Sequence, residues 1–426
     1  MALTKVRVQI DGQWHELALN NVTNRYEAYI VPTRTSFYEE GSRFNVIAEA
    51  TNDTGKVLTT DGTNIPGLML KAVETAAPDL LLVSPAQGYI TTGMPDITFS
   101  ATDEAGGSGV DITTLSILLD GIPVSSSNIG YIPISNGYRI TYTPEETILD
   151  GKHTVFITIQ DNDGNASSLK LEYIVDTVPP TLKIFELPFK VIVDKYSIMI
   201  SGYVEDAVSP TVSLTIKNND ADTNHIHVLD DGTFAHDLPL NIGENYIQIT
   251  ATDEAGLKTN FDLYIIRLIT DRSEEDIAVI EKLCKKPLEM WSQKENEWFN
   301  QANSKGAYNY TDLNRVETAM QYLQHSFLTQ GTTINYIPVK AGLNNNKWER
   351  DELFTHGNSL RYLANIETVR QQLPEKEDIP ETPSDMNDFL FDEANDIEKI
   401  LVMADDFLYR LYKSSWYCGE VVCGEN

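Results

Sequence analysis

Ala101-Thr-Asp-Glu-Ala-Gly106 recurs letter for letter as Ala251-Thr-Asp-Glu-Ala-Gly256. Each copy closes a stretch in which apolar and polar residues alternate, Asp96-Ile-Thr-Phe-Ser-Ala-Thr102 and Asn245-Tyr-Ile-Gln-Ile-Thr250. That is the period of a strand with one buried face. Looser copies, Ala50-Thr-Asn-Asp-Thr-Gly55 and Gln160-Asp-Asn-Asp-Gly-Asn165, close two further alternating stretches, Arg43–Ala50 and Lys152–Gln160. An Asp or Asn side chain accepts from backbone N–H groups just ahead of it, and Gly supplies a positive φ. The repeat is a strand-ending turn, and it divides the first 270 or so residues into β-modules.

Residues 1–62 hold short strands, Lys5–Ile10, Gln13–Leu17, Arg25–Ile30 and Arg43–Ala50, with Asp11-Gly12 as a hairpin turn. About five strands fit, fewer than the usual seven of a sandwich. Either the module is small or another chain supplies an edge. Residues 63–80, with Pro66, Gly67 and Pro78, are expected as a linker. Residues 81–176 add strands at Leu115–Leu119, Tyr138–Tyr142 and Ser168–Val175, with turn signals at Asp120-Gly121 and Asp150-Gly151. Val178-Pro179-Pro180 marks the next boundary, since Pro donates no ladder hydrogen bond. The plan then repeats over 177–270, with Tyr196–Tyr203 and Val212–Ile216 as strands.

From Asp271 the period shifts from two to about 3.6. Ser273 with Asp276 makes a capping box, and Ile277, Ile280 and Leu283 continue one helix face. Thr311 is expected to cap a second helix, with Asp312 in its positive first turn and Leu313, Val316, Met320, Leu323 and Phe327 as its apolar stripe. A third helix places Leu360, Leu363, Ile366, Val369 and Leu373 on one side; a last one runs from Met386 to about Tyr412, ahead of a tail over 413–426. The expected fold is multidomain, tandem β-sandwiches and then a helical module over 271–412.

Lys plus Arg number 32 against 63 Asp plus Glu, a formal net charge of −31. Nucleic-acid binding depends on Lys and Arg neutralising phosphates, so neither nucleic acid nor an anionic membrane is an expected partner. The start Met1–Ile10 alternates like a strand and lacks the apolar core of an export signal, and no run of about 18 apolar residues is present. The expectation is a chain that stays in the cytoplasm until assembly.

Chemistry-bearing patterns are sparse. Cys418 and Cys423 enclose four residues, a half-site for zinc without nearby further ligands, and Cys284 stands apart. Asp161, Asp163, Asn165 and Glu172 occupy positions 1, 3, 5 and 12 of a calcium loop, so calcium is the one cofactor to weigh. Against it, Ala166 sits where the loop requires Gly, and a strand follows instead of a helix; a strand-to-strand turn accounts for the same residues. His225 and His227 alternate along a strand near His236, as metal ligands or surface residues do. No nucleophile elbow, metalloprotease helix or phosphate-binding loop occurs, so no enzyme is expected. Trp291, Trp298, Tyr308, Tyr310 and Trp416 concentrate in the helical third and are the candidate binding residues, since aromatics supply interface cores.

The modules that end in Asp-x-x-Gly resemble bacterial immunoglobulin-like domains. Three later stretches resemble a C-terminal module of structural proteins in tailed bacteriophages and phage-tail-like bacteriocins. They are Gly306-Ala-Tyr-Asn-Tyr-Thr-Asp-Leu-Asn-Arg-Val-Glu317, Asp385-Met-Asn387 with Glu393-Ala-Asn-Asp-Ile-Glu398, and Trp416-Tyr-Cys-Gly-Glu420. In that family the last motif carries Ser where Cys418 stands. The resemblance implies a non-enzymatic virion protein of the tail, baseplate or tail-fibre region, assembled in the host cytoplasm. Its implied partners are other tail or baseplate proteins and further copies of itself. A host-attachment fibre that binds cell-wall glycan is the alternative, and a neck or head position a third.

Overall fold

The computed structural model describes the chain except residues 1, 11, 31–42, 72–74, 106, 186–189, 301–304, 338–346, 350–351, 375–377, 388 and 423–426. Side chains of residues 43, 71, 288, 297–300 and 415–422 are likewise not described. The chain divides into two compact units, residues 1–178 and 179–426.

Unit 1 begins with a four-stranded antiparallel sheet ordered Gln13–Glu16, Leu3–Ile10, Ile47–Asn52, Val57–Thr60. Within the stretch expected as linker, Met69–Lys71 pairs with Arg43–Asn45, so the first module reaches further along the chain than residue 62. Its described core is thin. Ile10 and Phe44 are buried, and Val8, Ile30 and Val46 pack against them. The second module is a full sandwich. One sheet runs Gly88–Ile90, Ala166–Val175, Gly151–Asp161, Val110–Leu119, Ile122–Pro123; the other runs Ile129–Ile134, Gly137–Tyr142, Ile97–Thr102, Asp79–Ser84. Alternation puts Ile97, Phe99 and Ala101 from one sheet against Ile157, Ile159 and Leu171 from the other.

Unit 2 opens with a sandwich on the same plan. Thr181–Ile184, Ser197–Glu205 and Thr233–Pro239 form one sheet. Ile192–Val193, Lys258–Arg267, Gly243–Thr252, Ser213–Asn218 and Asn224–Ile226 form the other. In both full sandwiches the opening strand starts in one sheet, and a short second segment then joins the other, parallel to its last long strand. The turns at Asn52, Asp161 and Asp253 behave as expected from their side chains, whereas Asp103 accepts instead from Glu104 N and Gly109 N, and its Gly106 lies outside the described residues. Asn52 Oδ1 accepts from Thr54 N and Lys56 N, and Asp253 Oδ1 accepts from Leu257 N at 2.8 Å. Gly256 sits at φ +87°, a value that side-chain-bearing residues rarely adopt.

Five helices follow: α1 (Glu274–Cys284), α2 (Gln293–Asn300), α3 (Tyr310–Thr329), α4 (His356–Arg370) and α5 (Phe391–Val422). The Ser273–Asp276 capping box is present. The α3 stripe is buried as expected, and Gly331 at φ +80° follows the end of the helix. Three sequence expectations need correction. Asn309, not Thr311, caps α3, because its side-chain Oδ1 takes the Thr311 N–H while the Asp312 carboxylate reaches back to the Asn309 N–H. On α4 Leu360 faces out, and Tyr362 turns inward beside Leu363, Ile366 and Val369. The last helix starts at Phe391 and continues to Val422, through residues expected as tail.

The helices do not form a separate body. The core of α3, α4 and α5 is continuous with Ile192, Ile266 and Leu268 of the third sandwich, which share one cluster with Val316, Leu323, Ile366, Ile397 and Leu401. No described helix is long and apolar enough to cross a membrane.

Candidate functional site

Where the last strand of the third sandwich gives way to α1, the chain buries an arginine. Arg272 lies among α1, α3 and α5, and its side chain is 2% exposed. Asp312 and Arg315 come one turn apart from the start of α3, and Glu398 comes from α5. Arg272 Nη2 donates to Asp312 Oδ1 at 2.9 Å and to Glu398 Oε1 at 2.5 Å. Arg315 grips the same two carboxylates, through Nη2 to Asp312 at 2.5 Å and through Nη2 and Nε to Glu398 at 2.7 and 3.1 Å. Two positive and two negative groups give a neutral cluster, which is how four charges are held away from water.

The electrostatics follow from this packing. Burial alone would raise the Glu398 carboxyl, but Arg315 and Arg272 beside it hold it below the ordinary glutamate range. Burial works against the charge on Arg315, and the Glu398 and Asp312 carboxylates outweigh it and raise the guanidinium further. Both carboxylates also accept backbone donors, Glu398 from Ile269 N at 2.6 Å and Asp312 from Asn309 N at 2.9 Å. Asn395 brackets Arg272 with two bonds to its backbone, each 2.9 Å. With their oxygens committed in this way, neither carboxylate is placed as a general acid or base. The arrangement is a clamp that ties the sandwich exit to two helices.

A second tie lies further along α5. Asp405 Oδ2 accepts from Ile192 N at 2.9 Å, and Asp406 pairs with Lys190. Burial pushes the Asp405 carboxyl up to about 6, against the pull of the Ile192 and Val191 amides. Outside the buried region, Lys347 Nζ meets Glu244 Oε2 at 2.9 Å, and Lys305 Nζ meets Asp271 Oδ2 at 2.6 Å.

Beside the clamp opens a cleft of about 640 Å³. Its walls carry Tyr308, Tyr310, Trp348, Phe354, Met386 and Phe389, with Glu349 and Glu352 also lining it. The aromatic frame is interlocked. Tyr308 and Tyr362 hydroxyls meet at 2.5 Å, and the Tyr308 ring stands edge-on to Phe389 at 5.0 Å. Arg272 lies 5.4 Å from the Tyr308 centroid, a cation–π contact that couples the clamp to the cleft. Phe354 stands edge-on to Trp348 at 5.3 Å. Asn314 fixes the Trp348 backbone at both ends, at 2.6 and 2.9 Å.

Of the aromatic candidates, Tyr308 and Tyr310 thus come together at the cleft. Trp291 sits elsewhere, half-buried, and donates to Lys286 O at 3.0 Å. The side chains of Trp298, Trp416 and Cys418 lie outside the described residues, as does Cys423; Cys284 is exposed. Trp348, Phe354 and Arg272 were not singled out by sequence reasoning. The signal that was available is Asp312 with Arg315, a charged i, i+3 pair bordering an apolar stripe.

The calcium reading is corrected. Asp161 is spent on its own turn: Oδ1 accepts from Asp163 N and Asn165 N at 2.9 and 2.8 Å, and Oδ2 from Asn165 Nδ2 at 2.7 Å. Glu172 lies opposite Thr154, six register steps beyond the Gln160–Ala166 pair, which is about 20 Å along the strand. It pairs there with Lys170. Asp161, Asp163 and Asn165 build a turn, and Glu172 does not join them. His225 and His236 belong to different sheets of the third sandwich.

Residues 180–267, the third sandwich, match the family described as Glucodextranase, domain B. Among solved structures the chain is similar to the fibronectin(III)-like modules of Clostridium thermocellum CbhA, at 15% identity over 46% of this chain and 98% of that one, with a TM-score of 0.30. It is similar to Sidekick-1 immunoglobulin domains 1–4 at 15% identity, over 62% and 67%, with a TM-score of 0.28. It is also similar to a tetra-tandem repeat in the extending region of a large adhesion protein, at 18% identity over 61% and 66%, with a TM-score of 0.23. No curated protein matches the chain. The assignment of fold rests on the strand pairings above.

Proposed function

We propose that this chain is a non-enzymatic structural protein of a phage tail or phage-tail-like particle, from the baseplate or tail-fibre region. Unit 2 is its anchor, and the β-modules of unit 1 brace or reach neighbouring subunits. The observation that carries the reading is convergence. Asp312 and Arg315 from the first quoted motif meet Glu398 from the second in one clamp, and Asn395 brackets it. Tyr308, Tyr310, Met386 and Asn387 from the same motifs line the adjoining cleft. Motifs that resemble those of tail proteins thus come together beside one cleft, which supports an attachment role.

Immunogold electron microscopy of lysate particles, with antibody against this chain, tests the reading. Gold at the tail end is expected. Particles without gold would overturn it, and gold at the neck or head would keep a virion role while moving its place.

A fibre that binds host glycan is the second reading. It is favoured by Tyr131, 53% exposed on the second sandwich and edge-on to Tyr138 at 5.6 Å, a platform on which a sugar ring can stack. Particles carrying Tyr131→Ala would then adsorb poorly while staying intact.

A further inference from the structure

The cleft beside the clamp is a built surface whose occupant its chemistry narrows. Aromatic rings supply the walls, and ring faces attract cations. The Glu349 and Glu352 side chains are exposed at this cleft, and no Lys or Arg is among its described lining residues. An anionic ligand would meet like charge there, and a neutral apolar one would gain nothing from the carboxylates. A cation gains from both features. The volume of about 640 Å³ admits a long side chain with its flanking backbone.

The frame is also fixed before anything binds. Tyr308 is held by Tyr362, Phe389 and Arg272. Trp348 is held by Asn314, and the Glu349 amide donates to Glu352 Oε2 at 3.0 Å. Binding therefore need not order the walls, which removes a usual cost of association.

We propose that this cleft receives a lysine or arginine side chain presented on a segment of a partner protein. The partner's membership of the same particle rests on the reading above; the cation-receiving chemistry does not.

The test is ligand-observed NMR on the full chain with N-acetyl-arginine N-methylamide, N-acetyl-lysine N-methylamide and the uncharged isostere N-acetyl-citrulline N-methylamide. Saturable binding of the two cations is expected, with citrulline weaker by roughly tenfold, and with loss of affinity as salt rises. Glu349→Gln should weaken the cations severalfold and leave the thermal transition in place. Tyr310→Leu, which keeps apolar bulk and removes the ring face, should weaken them as well. Equal binding of citrulline, or cation binding unmoved in both variants, would overturn the proposal; so would no saturable binding at all. Tetramethylammonium binding more tightly than either amide would overturn the choice of a protein side chain. Failure here leaves the particle reading to be decided by the position of the gold. Absence of gold with cation binding intact would sink that reading and keep the site.

Discussion

The first β-module and the third are written in the same strand-and-turn language and reach different ends. Among its described residues the first buries two large apolar side chains, Ile10 and Phe44, and leaves Val22, Tyr29 and Leu58 open, at 95%, 95% and 71% exposure. The third has a complete sandwich core and, beyond it, lends Ile192, Ile266 and Leu268 to a second core made with helices. Alternation decides which face of a strand is apolar; what covers that face decides how much stability follows. Unit 2 gains from a covering layer that the clamp fixes in place.

The sharpest way to break this comparison is to cut the clamp. Glu398→Ala leaves two buried guanidiniums sharing one carboxylate and should cost unit 2 about 4 kcal/mol. Hydrogen exchange should then rise through the helices and the Ile192–Val193 edge, with the second sandwich still protected. An unchanged unit 2 would mean that the apolar seam alone holds the helices.

Phe44→Ala is the counterpart in the thin module and should cost about 3 kcal/mol. Exchange should rise across residues 2–71 and stay flat in unit 2. Gly306 gives the next effect. A Cβ there would lie 2.1 Å from the Asp276 carbonyl oxygen, a backbone atom that cannot swing aside, so Gly306→Ala should cost about 2 kcal/mol as α1 is pushed from α3.

Asp405 supplies a pH signature for unit 2. Its carboxyl is raised to about 6, above the ordinary aspartate value of about 4. The folded state therefore holds this proton more tightly than the unfolded one. The resulting stability is full below about pH 4 and lost as pH rises through about 6. Asp405→Asn carries no such charge, so wild type should fall behind it by on the order of 2 kcal/mol between pH 4 and 7, read from urea midpoints. A pH-independent difference would detach Asp405 from the seam. Smallest of all, Lys170→Ala removes an exposed same-strand pair with Glu172 and should leave the midpoint where it is.

Much of the layout could be read from the sequence because it is periodic or local. The α3 stripe, the Ser273 cap and the Asx turns at Asn52 and Asp253 each depend on residues a few positions apart. Local reading failed where two neighbours compete for one role. Asn309 and Thr311 both offer a cap, and only the backbone geometry chooses between them. Leu360 and Tyr362, two residues apart, point to nearly opposite faces of α4, and the core takes the ring. It failed again where partners lie far apart: nothing near Arg272 announces Glu398, 126 residues on. The calcium spacing could be answered locally, because Ala166 and the strand after it already spoke for a turn, and Glu172 is carried away from that turn along a straight strand.

The central claim is that unit 2 anchors the chain to a particle. It is tested most directly by expressing tagged residues 1–178 and 179–426 separately in producing cells and sedimenting the particles from each lysate. The account predicts that 179–426 co-sediments and that 1–178 stays in the supernatant. Co-sedimentation of 1–178 alone, or of neither piece while the full chain does sediment, would contradict it.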